Sequence, residues 1–170
     1  LKIPVSHETL SSHHPTALYV VATPIGNLRD ITLRALDILA SVEAIAAEDT
    51  RNTRHLLDAH GIRTRLMALH QHNAVSDPGA LCVQAVRDAG FAVVPIPGAN
   101  AAVAALSAAG MGEGGFLFAG FLPAKSSGRK KILGDLADLS QTLVFYEAPH
   151  RIVEFTQDCM AVLGGQRKIT

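Results

Sequence analysis

The amino-acid sequence predicts an α/β fold in two domains, and three observations support this fold class. Short apolar runs rich in β-branched residues alternate with helical patterns over residues 17–110. Pro, Gly and Asn separate the two kinds of segment. The Ala-rich helical pattern ends at a glycine-rich stretch at residues 111–115, and a new apolar run follows, which indicates a hinge between domains. Strands that alternate with helices predict an open, mostly parallel sheet with helices on both faces, here followed by a smaller C-terminal α/β domain.

The composition allows a buried core and gives no overall attraction to polyanions. Of 170 residues, 48% are apolar and 18% are charged, which disfavours disorder. Lys plus Arg and Asp plus Glu each number 15, so contact with nucleic acid would need a local patch. The sequence shows neither a membrane-spanning run nor a hydrophobic signal core. We therefore expect a cytoplasmic enzyme with no membrane partner, in which Cys82 and Cys159 are buried, reduced thiols.

The first domain is expected to span residues 17–112, after a mobile tail at residues 1–16. Asp30 is the expected N-cap of its first helix, because Leu33 and Leu36 begin a helical repeat there. The predicted strands lie at residues 17–23, 43–47, 65–69 and 91–96. The helices that follow them are expected at residues 30–39, 55–60, 81–89 and 100–110.

Residues 113–170 are expected to begin a second α/β domain. An apolar strand starts near Phe116, and the pattern then predicts a helix at 129–139, a strand at 142–146 and a helix at 152–163. Four short elements make a thin domain, so we expect the polypeptide to continue beyond Thr170.

Three turns lie where a predicted strand gives way to a helix, namely TPIGN (23–27), EDTR (48–51) and PGAN (97–100). The carboxyl ends of parallel strands form the usual binding crevice, and Gly26 and Gly98 allow a ligand to approach the backbone. Each turn on its own is also explained by chain reversal. Together they favour a small-molecule site, although none is a G-x-G-x-x-G or Walker loop.

Acidic residues at two turns are candidates for proton transfer. Glu48 and Asp49 directly follow a strand, although Asp49 can equally be a helix cap with Arg51 as a structural ion partner. Glu147 follows the 142–146 strand and reaches a crevice, or else Pro149 simply starts a helix with solvated charges. The HQH stretch at residues 70–72 is a weak metal pattern, and we predict no metal site.

Four cations surround a small-residue turn in GFLPAKSSGRKK (120–131), with no acidic residue among them. We call residues 125–131 the basic segment. A solvated surface usually mixes both signs of charge, so phosphate contact is the functional interpretation. Because no aromatic residue follows Phe121 in this stretch, recognition of a nucleic-acid backbone suits it better than base stacking.

Five segments in this order resemble one family of enzymes. They are LYVVATPIGNLRDIT, AIAAEDTRNTRHLL, VVPIPGANAAVAALSAAG, GFLPAKSSGRKK and LVFYEAPHRI. The sequence is thus similar to the bacterial methyltransferases of the tetrapyrrole methylase-like class that modify a cytidine ribose 2′-hydroxyl in small-subunit ribosomal RNA. The resemblance covers residues 18–170.

The sequence also departs from the family pattern. The family has a VSDAGTP-type loop, soon followed by a DPG turn, whereas only AVSDPG (74–79) is present here. A helix, a strand and a loop are therefore missing at the Asn73–Ala74 junction, and an omitted segment is the expected explanation. Ala99 and Asn100 stand where relatives often have Pro or Ser, and the family's C-terminal portion is absent.

The resemblance implies S-adenosylmethionine as cofactor, bound in a cleft between the two domains. The residues that it places around the cofactor are Pro24, Gly26, Pro97, Gly98, Ala99, Leu143, Phe145 and Tyr146. Those that it and the charge pattern place on RNA phosphates are Arg51, Lys125, Ser126, Arg129, Lys130 and Lys131. The implied partners are small-subunit ribosomal RNA, free or in the assembled subunit, and a second copy of the chain in a homodimer.

The catalytic group remains open at this point. Glu48, Asp49 or Glu147 would take the proton of the ribose hydroxyl, or Lys125 would lower the pKa of that hydroxyl. Two other functions also remain open, namely methylation of a corrin-type macrocycle and a non-catalytic role in ribosome assembly. The basic segment argues against the macrocycle, while the missing segment, if it is a true deletion, favours the assembly factor.

Overall fold

A computed structural model describes residues 15–69, 77–110 and 114–170 and confirms the α/β class. The strands are β1 (Ala17–Val21), β2 (Ala44–Ala47), β3 (Arg65–Ala68), β4 (Ala92–Ile96), β5 (Phe116–Phe121) and β6 (Thr142–Tyr146). The helices are α1 (Leu33–Ser41), α2 (Thr50–Ala59), α3 (Pro78–Asp88), α4 (Ala101–Ala109), α5 (Ser126–Leu136) and α6 (Ile152–Leu163). Within these described ranges, no helix is long and apolar enough to cross a bilayer.

Every strand pair in the described residues is parallel, as predicted. β1 pairs with β4, β2 with β3, and β5 with β6. The pairs form three separate two-stranded sheets, so the described strands of the first half do not make one continuous ladder. The predicted open sheet is therefore present as two parallel pairs.

Side-chain caps explain where four of the helices begin. Thr32, Asp49, Asp77 and Asn100 each accept a hydrogen bond from a backbone N–H in the first turn of the helix that follows. The expected cap at Asp30 is wrong. That residue closes a short 3-10 helix, and the extended Ile31 and Thr32 separate it from α1.

One hydrophobic core joins the two strand pairs of the first half. Ala35 and Ile38 of α1 pack with Ile96 of β4, whereas Leu39 of the same helix packs with Ile45 of β2. Val21, Leu36 and Val42 contact both clusters. The helix therefore lies over both pairs, and apolar burial holds them together where backbone hydrogen bonds do not.

The second half has a core of its own, built from Leu122, Leu133 and Cys159. Phe145 of β6 and Phe155 of α6 pack against it with their rings 5.6 Å apart. Both cysteines are unpaired, and burial raises the pKa of the Cys159 thiol.

The contacts divide the chain into two compact units between Ala99 and Asn100. Helix α4 goes with the second unit, where the backbone N–H of Ala102 donates to the hydroxyl of Tyr146 at 3.2 Å. The predicted boundary at 112/113 falls in residues 111–113, outside the described part of the chain, as do residues 1–14 of the expected tail. That boundary remains a prediction.

Candidate functional site

The turns that follow β1 and β4 touch each other. The backbone N–H of Ala22 donates to the carbonyl of Ile96 at 3.3 Å and so extends the strand ladder by one residue. A Cβ added to Gly98 would lie 3.0 Å from the Cβ of Ala22 and 3.2 Å from its carbonyl oxygen. Only glycine fits at this point without displacing the end of β1. The TPIGN and PGAN turns are thus brought together, as the predicted small-molecule site at these turns requires. We call this contact between the two turns the corner.

The predicted cofactor residues of the first unit lie in these two turns. Pro24 and Ala99 are half-buried, whereas Gly26, Pro97 and Gly98 are exposed. Asn100, one of the departures from the family pattern, caps α4 through a 3.1 Å hydrogen bond from the N–H of Val103. The substitution therefore has a structural explanation.

The EDTR turn assigns different roles to its two carboxylates. Oδ1 of Asp49 accepts from the backbone N–H groups of Arg51 and Asn52 at 2.9 and 3.0 Å, and Oδ2 accepts from the side chain of Asn52 at 2.9 Å. Both oxygens are occupied in capping α2. The structure thus gives Asp49 the role of helix cap, which disfavours it as the base.

Glu48 is exposed, and its carboxylate lies beside the start of α3. A Cβ added to Gly79 would lie 3.7 Å from Oε1 of Glu48 and 3.1 Å from Oδ1 of Asp77. Arg51 is also exposed, and within the described ranges it has no ion-pair partner. The expected pairing of Arg51 with a neighbouring carboxylate is thus not found there.

The basic segment has a buried partner that the local sequence does not reveal. Arg129 is only 1% exposed, and its Nε and Nη2 both lie 2.7 Å from Oδ2 of Asp158 in α6. Oδ1 of Asp158 accepts from the hydroxyl of Ser126 at 2.9 Å and lies 3.3 Å from Nζ of Lys130. This setting disfavours Arg129 as a direct RNA contact, because its guanidinium is enclosed and paired within the protein.

The periodicity of α6 explains the position of Asp158. Phe155, Asp158, Cys159 and Val162 follow one another at helical spacing, so the carboxylate shares the core-facing side of the helix. This pattern is the signal from which a buried acidic partner could have been inferred. Burial would raise the pKa of Asp158, but hydrogen bonds from Arg129, Ser126 and Lys130 lower that pKa below its usual value.

Two cations of the basic segment stay available for a ligand. Lys125 and Lys131 are exposed, and the described residues offer neither of them an ion-pair partner. Lys130 is 46% exposed at its side chain, although it faces Asp158. The positive charge that the segment can offer to a ligand is thus smaller than the four charges counted from the sequence.

Glu147 is held by the turn in which it lies. Its Oε1 accepts from the backbone N–H of Ala148 and from Nε of Arg151, both at 2.7 Å, while Oε2 is buried without a hydrogen-bond partner. Burial would raise the pKa of Glu147, but the bonds from Ala148 and Arg151 and the charge of Arg151 lower it. A general base works best with a pKa near the working pH, so this setting disfavours Glu147 as the base.

The apolar residues of β6 serve the second unit itself. Tyr146 makes edge-on ring contacts with Phe118 at 4.7 Å and Phe121 at 5.5 Å, and Leu143 is half-buried. Phe145 packs into the core, which leaves its backbone rather than its ring for any ligand. A separate apolar hollow of about 220 Å³ lies at the end of α6, beside Met160, and no predicted site residue lines it.

A search for metal sites in the described residues finds no group of three or more His, Cys, Asp or Glu that could hold an ion. The HQH stretch lies outside those residues.

Comparison with known proteins identifies the relatives of this chain. The family model for Tetrapyrrole (Corrin/Porphyrin) Methylases matches residues 17–75. Proteins named Ribosomal RNA small subunit methyltransferase I from Vibrio cholerae, Haemophilus influenzae and Escherichia coli O157:H7 are 48%, 46% and 45% identical to it. Each match covers 89% of this chain, but only 62%, 63% and 63% of the relative. The chain is therefore similar to these methyltransferases, and it spans less than two thirds of their length.

The same alignments bear on the Asn73–Ala74 junction. They extend over 179 positions, more than the 170 residues of this chain, so each alignment contains gaps opposite residues of the relative. The family match also stops at residue 75. The segment expected to be missing at Asn73–Ala74 remains a prediction, and residues 70–76 lie outside the described structure.

We expect Gly98→Ala to destabilise the protein by about 1–3 kcal/mol, because the new Cβ would press on the backbone of Ala22. The matched control is Gly134→Ala in α5, where nothing lies within 4 Å of an added Cβ. That change should stabilise the protein by about 0.5–1 kcal/mol through helix propensity. Urea unfolding measures both, and equal effects would contradict the close contact.

We expect Asp49→Ala to lower the free energy of unfolding by about 0.5–2 kcal/mol, because α2 loses its cap. Asp49→Asn retains a capping oxygen and should change the free energy of unfolding by only a few tenths of a kcal/mol. If the chain transfers methyl groups and Asp49 is a cap and not a base, Asp49→Asn should also keep the wild-type rate. A large loss of rate in a normally stable Asp49→Asn protein would restore the catalytic role.

We expect the ion pair of Glu147 to stabilise the protein at neutral pH and to fail in acid. Because the pKa is lowered in the folded state, the unfolded chain binds the proton first, and this stability is lost as the pH falls below the usual value of 4.5. The stability difference between wild type and Glu147→Gln should therefore shrink on acidification. Glu154→Gln, at a side chain that is 73% exposed, serves as control. Unfolding curves at several pH values test this, and a constant difference would refute it.

Proposed function

We propose that this chain carries part of an S-adenosylmethionine-dependent methyltransferase that modifies the 2′-hydroxyl of a cytidine ribose in small-subunit ribosomal RNA. The names of its relatives support the enzyme class and the RNA substrate. The observation in the structure that supports it best is the contact of Gly98 with Ala22, since it joins two strand-to-helix turns at the carboxyl ends of parallel strands.

The residues at this corner fit the proposed cofactor. Gly98 and the neighbouring Pro97 are exposed, as is Gly26 in the turn after β1, so a ligand can approach the backbone of both turns. When bound, S-adenosylmethionine supplies a methyl group activated by its positively charged sulfur. The corner would hold and align the donor, because an in-line displacement depends strongly on orientation. Adenosine contacts at Leu143, Phe145 and Tyr146 remain predictions from the resemblance.

The proposed RNA contacts are now limited to exposed cations. Lys125 and Lys131 in the basic segment and Arg51 after β2 are exposed and have no ion-pair partner within the described residues. A chain with no net charge needs local positive charge to hold a polyanion, and the two lysines of the basic segment supply it in this proposal. Ser126 and Lys130 contribute less in this proposal, because both already contact Asp158.

Two of the four catalytic candidates remain in the proposal. Glu48 is exposed at the end of β2 and would accept the proton of the ribose hydroxyl at a carboxylate oxygen. Lys125 would instead stabilise the developing negative charge on the ribose oxygen.

The function is tested on the purified chain in two steps. Calorimetry measures binding of S-adenosylmethionine, and transfer of a tritiated methyl group is then followed on undermethylated small subunits and on free small-subunit RNA. We expect binding and ribose methylation, with Glu48→Gln slowing transfer while cofactor affinity is kept. Cofactor binding without transfer would favour the assembly factor, and transfer to a corrin macrocycle instead of RNA would overturn the RNA proposal.

The cellular setting belongs to the same proposal. The resemblance implies a homodimer that acts in the cytoplasm, without a membrane partner, on ribosomal RNA or on the assembled small subunit. Sedimentation equilibrium of the purified chain tests the dimer, which would be refuted by a monomer at all concentrations.

A further inference from the structure

We propose that Arg129 and Asp158 form a buried device that positions Lys125 for the substrate. This inference rests on the proposed function, because it assumes that Lys125 contacts RNA. Neither Arg129 nor Asp158 touches the substrate in this proposal, so both are positioning residues. The chemistry recognised is the phosphate backbone of RNA.

The buried pair restrains the chain on both sides of Lys125. On the N-terminal side, Nη1 of Arg129 donates to the carbonyl oxygens of Pro123 and Ala124 at 3.4 and 3.2 Å. On the C-terminal side, the hydroxyl of Ser126 donates to Oδ1 of Asp158 at 2.9 Å. Lys125 is thus an exposed residue whose two neighbours are both tied to the same ion pair.

The pair can act as a rigid support because it is enclosed and fully engaged. The side chains of Arg129 and Asp158 are 1% and 8% exposed, and two guanidinium nitrogens lie 2.7 Å from one carboxylate oxygen. Charge-assisted hydrogen bonds of this kind are short and directional, and burial shields them from salt. The carboxylate also links two helices, since it lies on α6 while its donors lie on α5.

Close packing adds a third restraint to the same turn. A Cβ added to Gly128 would lie 3.2 Å from Cβ of Pro123, so the first turn of α5 presses directly on the segment before Lys125. The backbone of Lys125 is thereby fixed from beneath, while its side chain extends from an exposed position.

The benefit of such a support is entropic. A lysine on a loose loop must be ordered, backbone and side chain together, when it meets a phosphate, and this ordering weakens binding. Lys125 has its backbone already ordered by the fold. Lys131 lies further along α5 and is also exposed. Of its two neighbours in sequence, only Lys130 contacts Asp158, through a side chain that is itself 46% exposed. The pair should therefore matter for Lys125 and not for Lys131.

A double-mutant cycle tests this selectivity. The paired change Arg129→Met with Asp158→Leu removes the support and leaves no unpaired buried charge, so the chain is expected to fold. Binding of transcribed small-subunit RNA is measured by filter retention at several salt concentrations. In the wild-type background, Lys125→Ala should reduce the slope of log K against log salt by about one, and Lys131→Ala likewise.

In the background that carries both Arg129→Met and Asp158→Leu, the Lys125→Ala effect should largely vanish while the Lys131→Ala effect persists. If the paired variant does not fold, Ser126→Ala is used in its place, since it removes only the tie on one side of Lys125. An unchanged Lys125→Ala effect would overturn the inference, as would equal loss of both lysine effects. Failure of the wild-type chain to bind RNA would instead overturn the proposed function.

Discussion

The second unit depends on one interaction, the buried ion pair between Arg129 and Asp158. Removing two charges from water is unfavourable, and the pair offsets this only because nearly every polar atom involved has a partner. The carboxylate collects donors from one helix, and the guanidinium satisfies carbonyl oxygens of the preceding segment. Helix packing, the geometry of the segment before α5 and the placement of Lys125 are therefore parts of a single arrangement. We expect a change at either charged group to disturb all three together.

The pair also changes how the charge of the chain is understood. The sequence shows equal numbers of acidic and basic residues and one cationic stretch, which suggests a four-charge clamp. The structure divides that stretch into an internal part, which builds the fold, and an external part of two lysines, which can meet a ligand. Specific recognition of a folded RNA by so few charges would rely on placement more than on total attraction.

The fold was more predictable than the site, for a physical reason. Strand and helix positions follow from local apolar periodicity, and the expected strands at 43–47 and 142–146 agree with β2 and β6 within a residue. The cap at Asp49 could be predicted because a capping residue and the N–H groups that it accepts from are neighbours in sequence. Arg129 could not be placed locally, because its partner lies 29 residues away. Asp30 was misassigned because two cap-forming residues lie close together before α1, and only the geometry chooses Thr32.

The separation of the two strand pairs in the first unit has a consequence of its own. Among the described strands, β1 and β2 each have a single partner, although one helix covers both pairs. Each strand thus presents a row of backbone amides and carbonyls that no described strand occupies. Unpaired strand edges of this kind pair readily with a further strand, either from elsewhere in the same polypeptide or from another molecule. At high concentration, the isolated chain would then tend to aggregate through these open strand edges. A further strand that paired with β1 or β2 would cover the edge and prevent this aggregation.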